Sequence, residues 1–130
     1  MEGVTGLDEV LRKLKKLPER VQKNVITGAI RAGAKPIVRE AKALVPTKTG
    51  TLKKSIGIVK RKSKDKNIIH FSVAPRVKKG GFYAHFVEFG TVKTSAHPFM
   101  RPAFEKKGEE SIDFVREYMK KRVDKEIAKL

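Results

Sequence analysis

Residues Tyr83 to Glu105, YAHFVEFGTVKTSAHPFMRPAFE, are the most informative segment of the chain for its fold. Its residues before Gly90 are too apolar for a free loop, although Glu88 stands alone among them. The segment Thr91–Ala96 is polar and has no apolar period, which predicts an exposed loop. The segment therefore consists of an apolar part before Gly90, a polar loop after it, and a second apolar part that begins at Phe99.

Aromatic residues bracket this loop. We expect Phe89, Phe99 and Phe104 to anchor its two ends on an apolar surface. Gly90 permits a sharp exit after Phe89 because it has no Cβ. Pro102 suits the first turn of a helix, where an N–H group would lack an intrahelical partner in any case. The sequence thus predicts that a helix begins soon after Phe99.

Glu88 is unusual because it lies between Val87 and Phe89. It could point to solvent from one face of a strand. It could instead be buried against a basic partner, because burying an unpaired carboxylate costs several kcal/mol. Arg101 is a candidate for that partner, and the sequence leaves both alternatives open.

Composition limits the classes to which the chain can belong. A length of 130 residues suits a single domain over 1–130, with one core. The absence of cysteine excludes disulfides, thiolate zinc sites and cysteine nucleophiles. No apolar run reaches the roughly 20 residues that span a bilayer, and the N-terminus has no signal-peptide pattern, so we expect no membrane partner.

The net charge is +17, from 31 Lys and Arg against 14 Asp and Glu. Such an excess predicts attraction to polyanions, most often nucleic acid. The alternative is a lysine-rich surface that is merely solvated.

Three helical segments are predicted in the rest of the chain. Residues 1–17 carry one apolar stripe at helical spacing, and Pro18 closes it. Residues 18–45 form a long helix in which we expect a kink or short break near Ala34–Pro36, because proline removes a helical hydrogen bond; two separate helices are the alternative. Residues 99–130 form the C-terminal helix, continuous over 104–128.

Residues 46–98 are predicted to contain the sheet and its loops. Ile56 begins one strand, and alternation from Ile69 to Val73 indicates another that is half-buried. A basic hairpin connects them at 60–66. This order of unlike elements favours an α+β fold: an antiparallel sheet of three or more strands packed against a long kinked helix and a long C-terminal helix.

No catalytic motif emerges. His85 and Glu88 stand three apart, but a zinc site needs three or four ligands, and nucleotide-binding motifs are absent. We therefore assign no catalytic, metal or cofactor-binding residue and no small-molecule substrate. The one enzyme class that remains as an alternative is a basic, toxin-like, metal-free endoribonuclease. Its candidate residues would be Lys60, Arg61, Arg76, Tyr83 and His85.

Four segments in register carry a resemblance to a known family: GLDEVLRKLKKLP, AKALVPTKTGTLKKSI, YAHFVEFGT and HPFMRPAFE. Together they resemble the tail-completion, or head–tail joining, proteins of long-tailed phages and prophages, the gene-ten-like minor tail components of the Hong Kong lambdoid phage. The family's recurrent positions fall on Pro46, Thr49, Gly50, Leu52, Ser55, Tyr83, Glu88, Phe89, Gly90, Thr91, Pro98, Phe99, Pro102 and Ala103.

The resemblance implies a non-enzymatic structural protein, in the virion and in the host cytoplasm during assembly. Such a protein would form a homo-oligomeric ring around the DNA channel and contact other neck and tail proteins. A loop that docks a neighbouring subunit or neck protein is expected at Thr91, Val92, Lys93, Thr94, Ser95 and Ala96. A basic hairpin near packaged DNA, touching it non-specifically, is expected at Lys60, Arg61, Lys62, Lys64 and Lys66.

Overall fold

The structure, a computed structural model, describes residues 2–46, 50–65, 68–76, 79, 81, 84–93 and 95–130, with the side chains of 2–6 left out. The elements are α1 (Glu2–Lys15), α2 (Glu19–Leu44), α3 (Thr51–Ser55), β1 (Ile56–Arg61), β2 (His70–Pro75), α4 (Ala84–Phe89) and α5 (Met100–Ile127). The fold is mixed α+β and rich in helix. No helix in the described part of the chain is long and apolar enough to cross a membrane.

The two long helices, α2 and α5, form an antiparallel pair that is the frame of the molecule. Glu40 near the end of α2 pairs with Lys106 near the start of α5 at 3.0 Å. Towards the other end of the pair, Gly28 of α2 lies against the ring of Tyr118. Midway along, a Cβ at Gly33 would lie 2.9 Å from the carbonyl oxygen of Ser111, so the helices approach closely because this residue is glycine.

Helix α2 runs unbroken through Pro36, so a short break is absent and the alternative of two separate helices is wrong, while the kink stays a prediction. Pro36 itself is buried. The missing amide hydrogen bond is tolerated because Ile37 and Ala41, in the turns that follow, are buried in the core. The predicted long C-terminal helix is confirmed, with α5 continuous from Met100 to Ile127.

The hairpin of β1 and β2 pairs Ile56 with Pro75 at one end and Arg61 with His70 at the other. Because side chains alternate across a strand, Ile56 and Ile58 lie on one face, and both line the side towards α2.

The expectation of three or more strands is wrong for the residues described, which contain two. The apolar segment 84–89 could have added a strand, but it forms helix α4 instead.

The core has two parts. At one end of the helix pair, α1 packs against α2 and α5 through Leu14, Leu17, Val25, Ala29, Met119 and Val123. At the other end, the start of α5 meets the end of α2, α3 and β1 through Ile37, Ala41, Val45, Leu52, Ile56, Phe99 and Ala103. The loop between α4 and α5 emerges from this second cluster.

Candidate docking site between α4 and α5

Helix α4 places its residues in two sets. Ala84 and Val87 pack against the second core cluster, whereas His85, Phe86 and Phe89 are exposed. The spacing of 84, 87 and 88 is that of one helical face, so this face turns inward.

Gly90 ends α4. Its N–H group donates to the carbonyl oxygen of Phe86 at 2.8 Å, and its φ of 78° lies in the left-handed region that favours glycine. The chain therefore leaves α4 abruptly, as the sequence predicts for a glycine here.

Glu88 closes the base of the loop by binding the beginning of α5. One carboxylate oxygen, Oε1, accepts the N–H groups of Phe99 at 3.1 Å and Met100 at 2.9 Å. The other oxygen, Oε2, is 3.4 Å from the N–H nitrogen of Arg101. These amides have no intrahelical acceptor, and Phe99, at the cap position, supplies no side-chain cap of its own. Glu88 thus caps the helix from outside it.

This arrangement resolves the two alternatives for Glu88. The residue is half-buried and lies on a helix, not on the solvent face of a strand. Its partners are backbone amides, and the guanidinium of Arg101 instead pairs with Glu105 at 3.1 Å. Arg101 does contribute, but through its N–H group.

A second contact fixes the two ends of the loop. The N–H group of His97 donates to the carbonyl oxygen of Val87 at 2.7 Å. Between these closures, Thr91, Val92, Lys93, Ser95 and Ala96 are exposed, while Thr94 lies outside the described residues. The predicted exposure of the loop is confirmed for the residues described. Its role in docking stays a prediction.

The aromatic anchors behave differently from one another. Phe99 is fully buried in the core cluster. Phe89 is 80% exposed and Phe104 46% exposed, so the expectation that they anchor the loop is wrong. The anchoring on the α4 side comes from Val87 and Glu88. Phe86, at 49% exposure, and Phe89 are exposed on α4, and Val92 is exposed in the loop, which the sequence alone did not indicate.

The other residues of the family motifs lie in turns, in the core or at the start of α5. Gly50 precedes α3 with a φ of 69°, and Leu52 is buried in the core cluster. Pro102 is half-buried in the first turn of α5, and Pro98 is exposed before it. Thr49 and Tyr83 lie outside the described residues.

The predicted basic hairpin extends from the end of β1. Lys60, Arg61, Lys62 and Lys64 are exposed, and Lys66 lies outside the described residues. Arg61 Nε donates to Ser72 Oγ at 3.3 Å. The hairpin therefore presents cations to solvent, as a site for a polyanion would.

The candidates for an endoribonuclease are not brought together. Lys60 and Arg61 line a groove against the beginning of α2, and neither Arg76 nor His85 lines it. Arg76 Nε instead donates to the carbonyl oxygen of Ser55 at 2.9 Å, which joins the end of β2 to the start of β1. Tyr83 lies outside the described residues. Over the described chain, no three His, Asp or Glu side chains cluster as metal ligands would.

The opposite end of the molecule is held by ion pairs. Lys13 of α1 donates to Asp124 of α5 at 3.0 Å, and this hydrogen bond raises the pKa of Lys13. Arg122 donates to Glu126 at 2.9 Å, which raises the pKa of the guanidinium and lowers that of the carboxyl. The first pair ties α1 to α5, and the second lies within α5; both are at a distance from the loop.

Binding and catalytic residues are often found on exposed loops that a rigid frame holds in place, as the helices hold this loop. The family profile described as "Bacteriophage HK97-gp10, putative tail-component" matches residues 8–90. The chain belongs to this family of phage tail components. The match ends at Gly90, so the loop and α5 lie beyond it. No curated protein and no solved structure matched the chain.

Proposed function

We propose that this protein is a structural component of the head–tail junction of a phage or prophage. It completes the tail and joins it to the head as part of a ring of identical subunits around the DNA channel. Membership of the tail-component family carries this proposal. The protein acts in the virion, after assembly in the host cytoplasm, and has no catalytic role.

The loop of residues 91–96 docks a neighbouring subunit or another neck or tail protein. Its described residues, 91–93, 95 and 96, are exposed. Its ends are nevertheless fixed by Glu88 and by the hydrogen bond between His97 and Val87. Fixed ends lower the conformational entropy that is lost when a loop binds. The exposed apolar side chains of Phe86, Phe89 and Val92 supply contact area beside the polar residues.

The basic hairpin lies near the DNA channel in this arrangement. Its exposed cations, Lys60, Arg61, Lys62 and Lys64, would contact packaged DNA through phosphates alone. Such contacts guide DNA without selecting a sequence.

Deletion of the gene from the phage tests the joining role. We expect filled heads and separate tails to accumulate, counted by electron microscopy, and purified wild-type protein to restore joined particles. Normal yields of infectious particles from the deletion would contradict the proposal.

Loop variants test the docking site in the same assay. Val92→Ser combined with Lys93→Glu should melt like the wild type but fail to join heads and tails. Lys125→Glu, an exposed charge reversal at the far end of α5, is the matched control and should join them normally. If the loop variant also joins normally, the loop does not dock a partner.

A further inference from the structure

A stripe of four cations runs along the second half of α2. Arg31, Lys35, Arg39 and Lys42 follow one another at spacings of four, four and three residues, which places them on one side of the helix. Four residues advance a helix by about 6 Å, so the stripe is roughly 16 Å long. The first three side chains are exposed, and Lys42 is half-buried.

These cations form one wall of a groove. Ile56, Gly57 and Ile58 of β1 line the opposite side, and the volume is about 530 Å³. No acidic residue lines this groove. Arg31 is held in place because its guanidinium lies over the ring of Phe71, 4.9 Å from the centroid.

The stripe has no acidic partner among the residues described. Ten ion pairs join those residues, and none includes any of the four cations. The acid nearest in sequence, Glu40, is bound on the other side to Lys106. An unneutralised row of charges in a groove focuses a positive potential there.

The cationic surface continues beyond the groove. Residues 41–99 contain 13 Lys and Arg but only Asp65 and Glu88 as acids. Exposed cations flank the part of β1 that lines the groove. Lys53 and Lys54 precede it in the chain, and Lys60, Arg61 and Lys62 come after it. A surface longer than the groove itself suits an extended polyanion.

We propose that the groove between α2 and β1 binds the phosphate backbone of duplex DNA. Arg31 and Arg39 can each bind a phosphate through two parallel hydrogen bonds, and Lys35 and Lys42 add point charges. The hairpin cations are then one end of this surface, and α2 forms its main part. The inference is independent of the joining role, since it concerns binding by the free protein.

The test compares two quadruple variants that remove the same charge. One carries Arg31→Gln, Lys35→Gln, Arg39→Gln and Lys42→Gln. The control carries Arg12→Gln, Arg20→Gln, Lys120→Gln and Lys125→Gln, all exposed and outside the groove. Affinity for a 30-base-pair duplex is measured by fluorescence anisotropy over a range of salt concentrations.

We expect the groove variant to reduce the slope of log K against log salt by about 3 to 4, since each phosphate contact contributes about 0.9. The control should change it by less than about 1. Circular dichroism checks folding. If the quadruple variant unfolds, the single Arg39→Glu variant is compared with Lys125→Glu, which makes the same charge change outside the groove. Equal losses in both quadruple variants would overturn the proposal. So would a glutamate-rich peptide of equal charge whose affinity falls in the groove variant while the affinity of the duplex does not, because the partner of the groove would then be an acidic protein.

Discussion

At the scale of single residues, Glu88 performs two tasks with one side chain. Its carboxylate accepts amide N–H groups at the beginning of α5, where the helix dipole favours negative charge. The same bonds hold the end of α4 against the start of α5, and the loop lies between them. The same hydrogen bonds therefore cap α5 and fix the two ends of the loop.

Removing the Glu88 carboxylate should destabilise the protein, and the loss should grow with the number of oxygen atoms that no longer accept an amide hydrogen bond. Glu88→Ala leaves amides without an acceptor, and we expect a loss of about 2 kcal/mol in the free energy of unfolding. Glu88→Gln keeps one oxygen and should lose about 1 kcal/mol. Urea denaturation measures both.

Glu105→Gln is the control for the Glu88 variants. It removes an exposed carboxylate that pairs with Arg101 on the same helix, and it should change stability by less than about 0.5 kcal/mol. If Glu88→Ala is no more harmful than this control, Glu88 does not cap α5.

The sequence marked Glu88 as unusual but could not supply its partners. Those partners are backbone amides, which every residue except proline carries, so no side chain signals them. The expectation that Phe89 is an anchor is wrong because burial depends on which side of a helix a residue occupies. Its apolar character suggested burial, but on α4 it belongs to the outward side, and only the face of Ala84 and Val87 turns inward.

At the scale of the elements, the close contact of α2 and α5 depends on Gly28 and Gly33. A Cβ at Gly33 would collide with the side chain of Val115 and the backbone of Ser111. Helices whose backbones approach closely bury much of each surface, and this burial supports α2 across Pro36.

Two substitutions of glycine by alanine should have opposite effects. Gly33→Ala should destabilise by about 1–3 kcal/mol, because the backbone of Ser111 cannot yield cheaply. Gly108→Ala, in α5 with open space around it, should stabilise by roughly 0.5–1 kcal/mol through helix propensity. Urea denaturation measures both variants. If both were more stable than the wild type, α2 and α5 would not need glycine at position 33 for their close contact.

Phe99 packs where several helices and a strand meet, so its truncation should destabilise the protein most. Its ring is fully buried among residues of α2, α3, β1 and α5. Phe99→Ala should lower the free energy of unfolding by about 3–5 kcal/mol. Phe104→Ala, at a partly exposed position, should lower it clearly less, and equal losses in thermal melts would contradict this assignment.

The long helices were predictable because their apolar positions repeat over many turns. The short apolar segment around residues 84–89 was not, because a run of this length fits a strand as well as a buried helix. In the structure it is a helix whose Glu88 reaches α5, a contact between residues 11 to 13 positions apart that no local pattern reveals.

At the scale of the whole molecule, charge is distributed unevenly. Acidic residues are concentrated in the flanking helices, where they form ion pairs with Lys and Arg, whereas residues 41–99 carry a large excess of cations. The sequence disclosed this excess, but it could not show that cations of α2 line a groove with β1. That groove depends on how the hairpin packs.

Binding to DNA should be indifferent to sequence. The exposed cations of the hairpin and groove can contact phosphates, and phosphates are alike in every duplex. Two duplexes of equal length and different sequence should bind with affinities within about twofold, and both should weaken steeply with salt. Anisotropy titrations that show a clear preference, or tight binding at high salt, would contradict phosphate-only contact.

The central claim, that the loop between α4 and α5 docks the protein in the neck of the virion, can be tested by crosslinking. The chain has no cysteine, so Lys93→Cys introduces a unique attachment point for a photo-crosslinker, and Lys125→Cys provides the control at the far end of α5. In joined particles, mass spectrometry should find position 93 linked to a neighbouring subunit or to another neck or tail protein, with position 125 largely unlinked. Crosslinks from position 125 and none from position 93 would contradict the account.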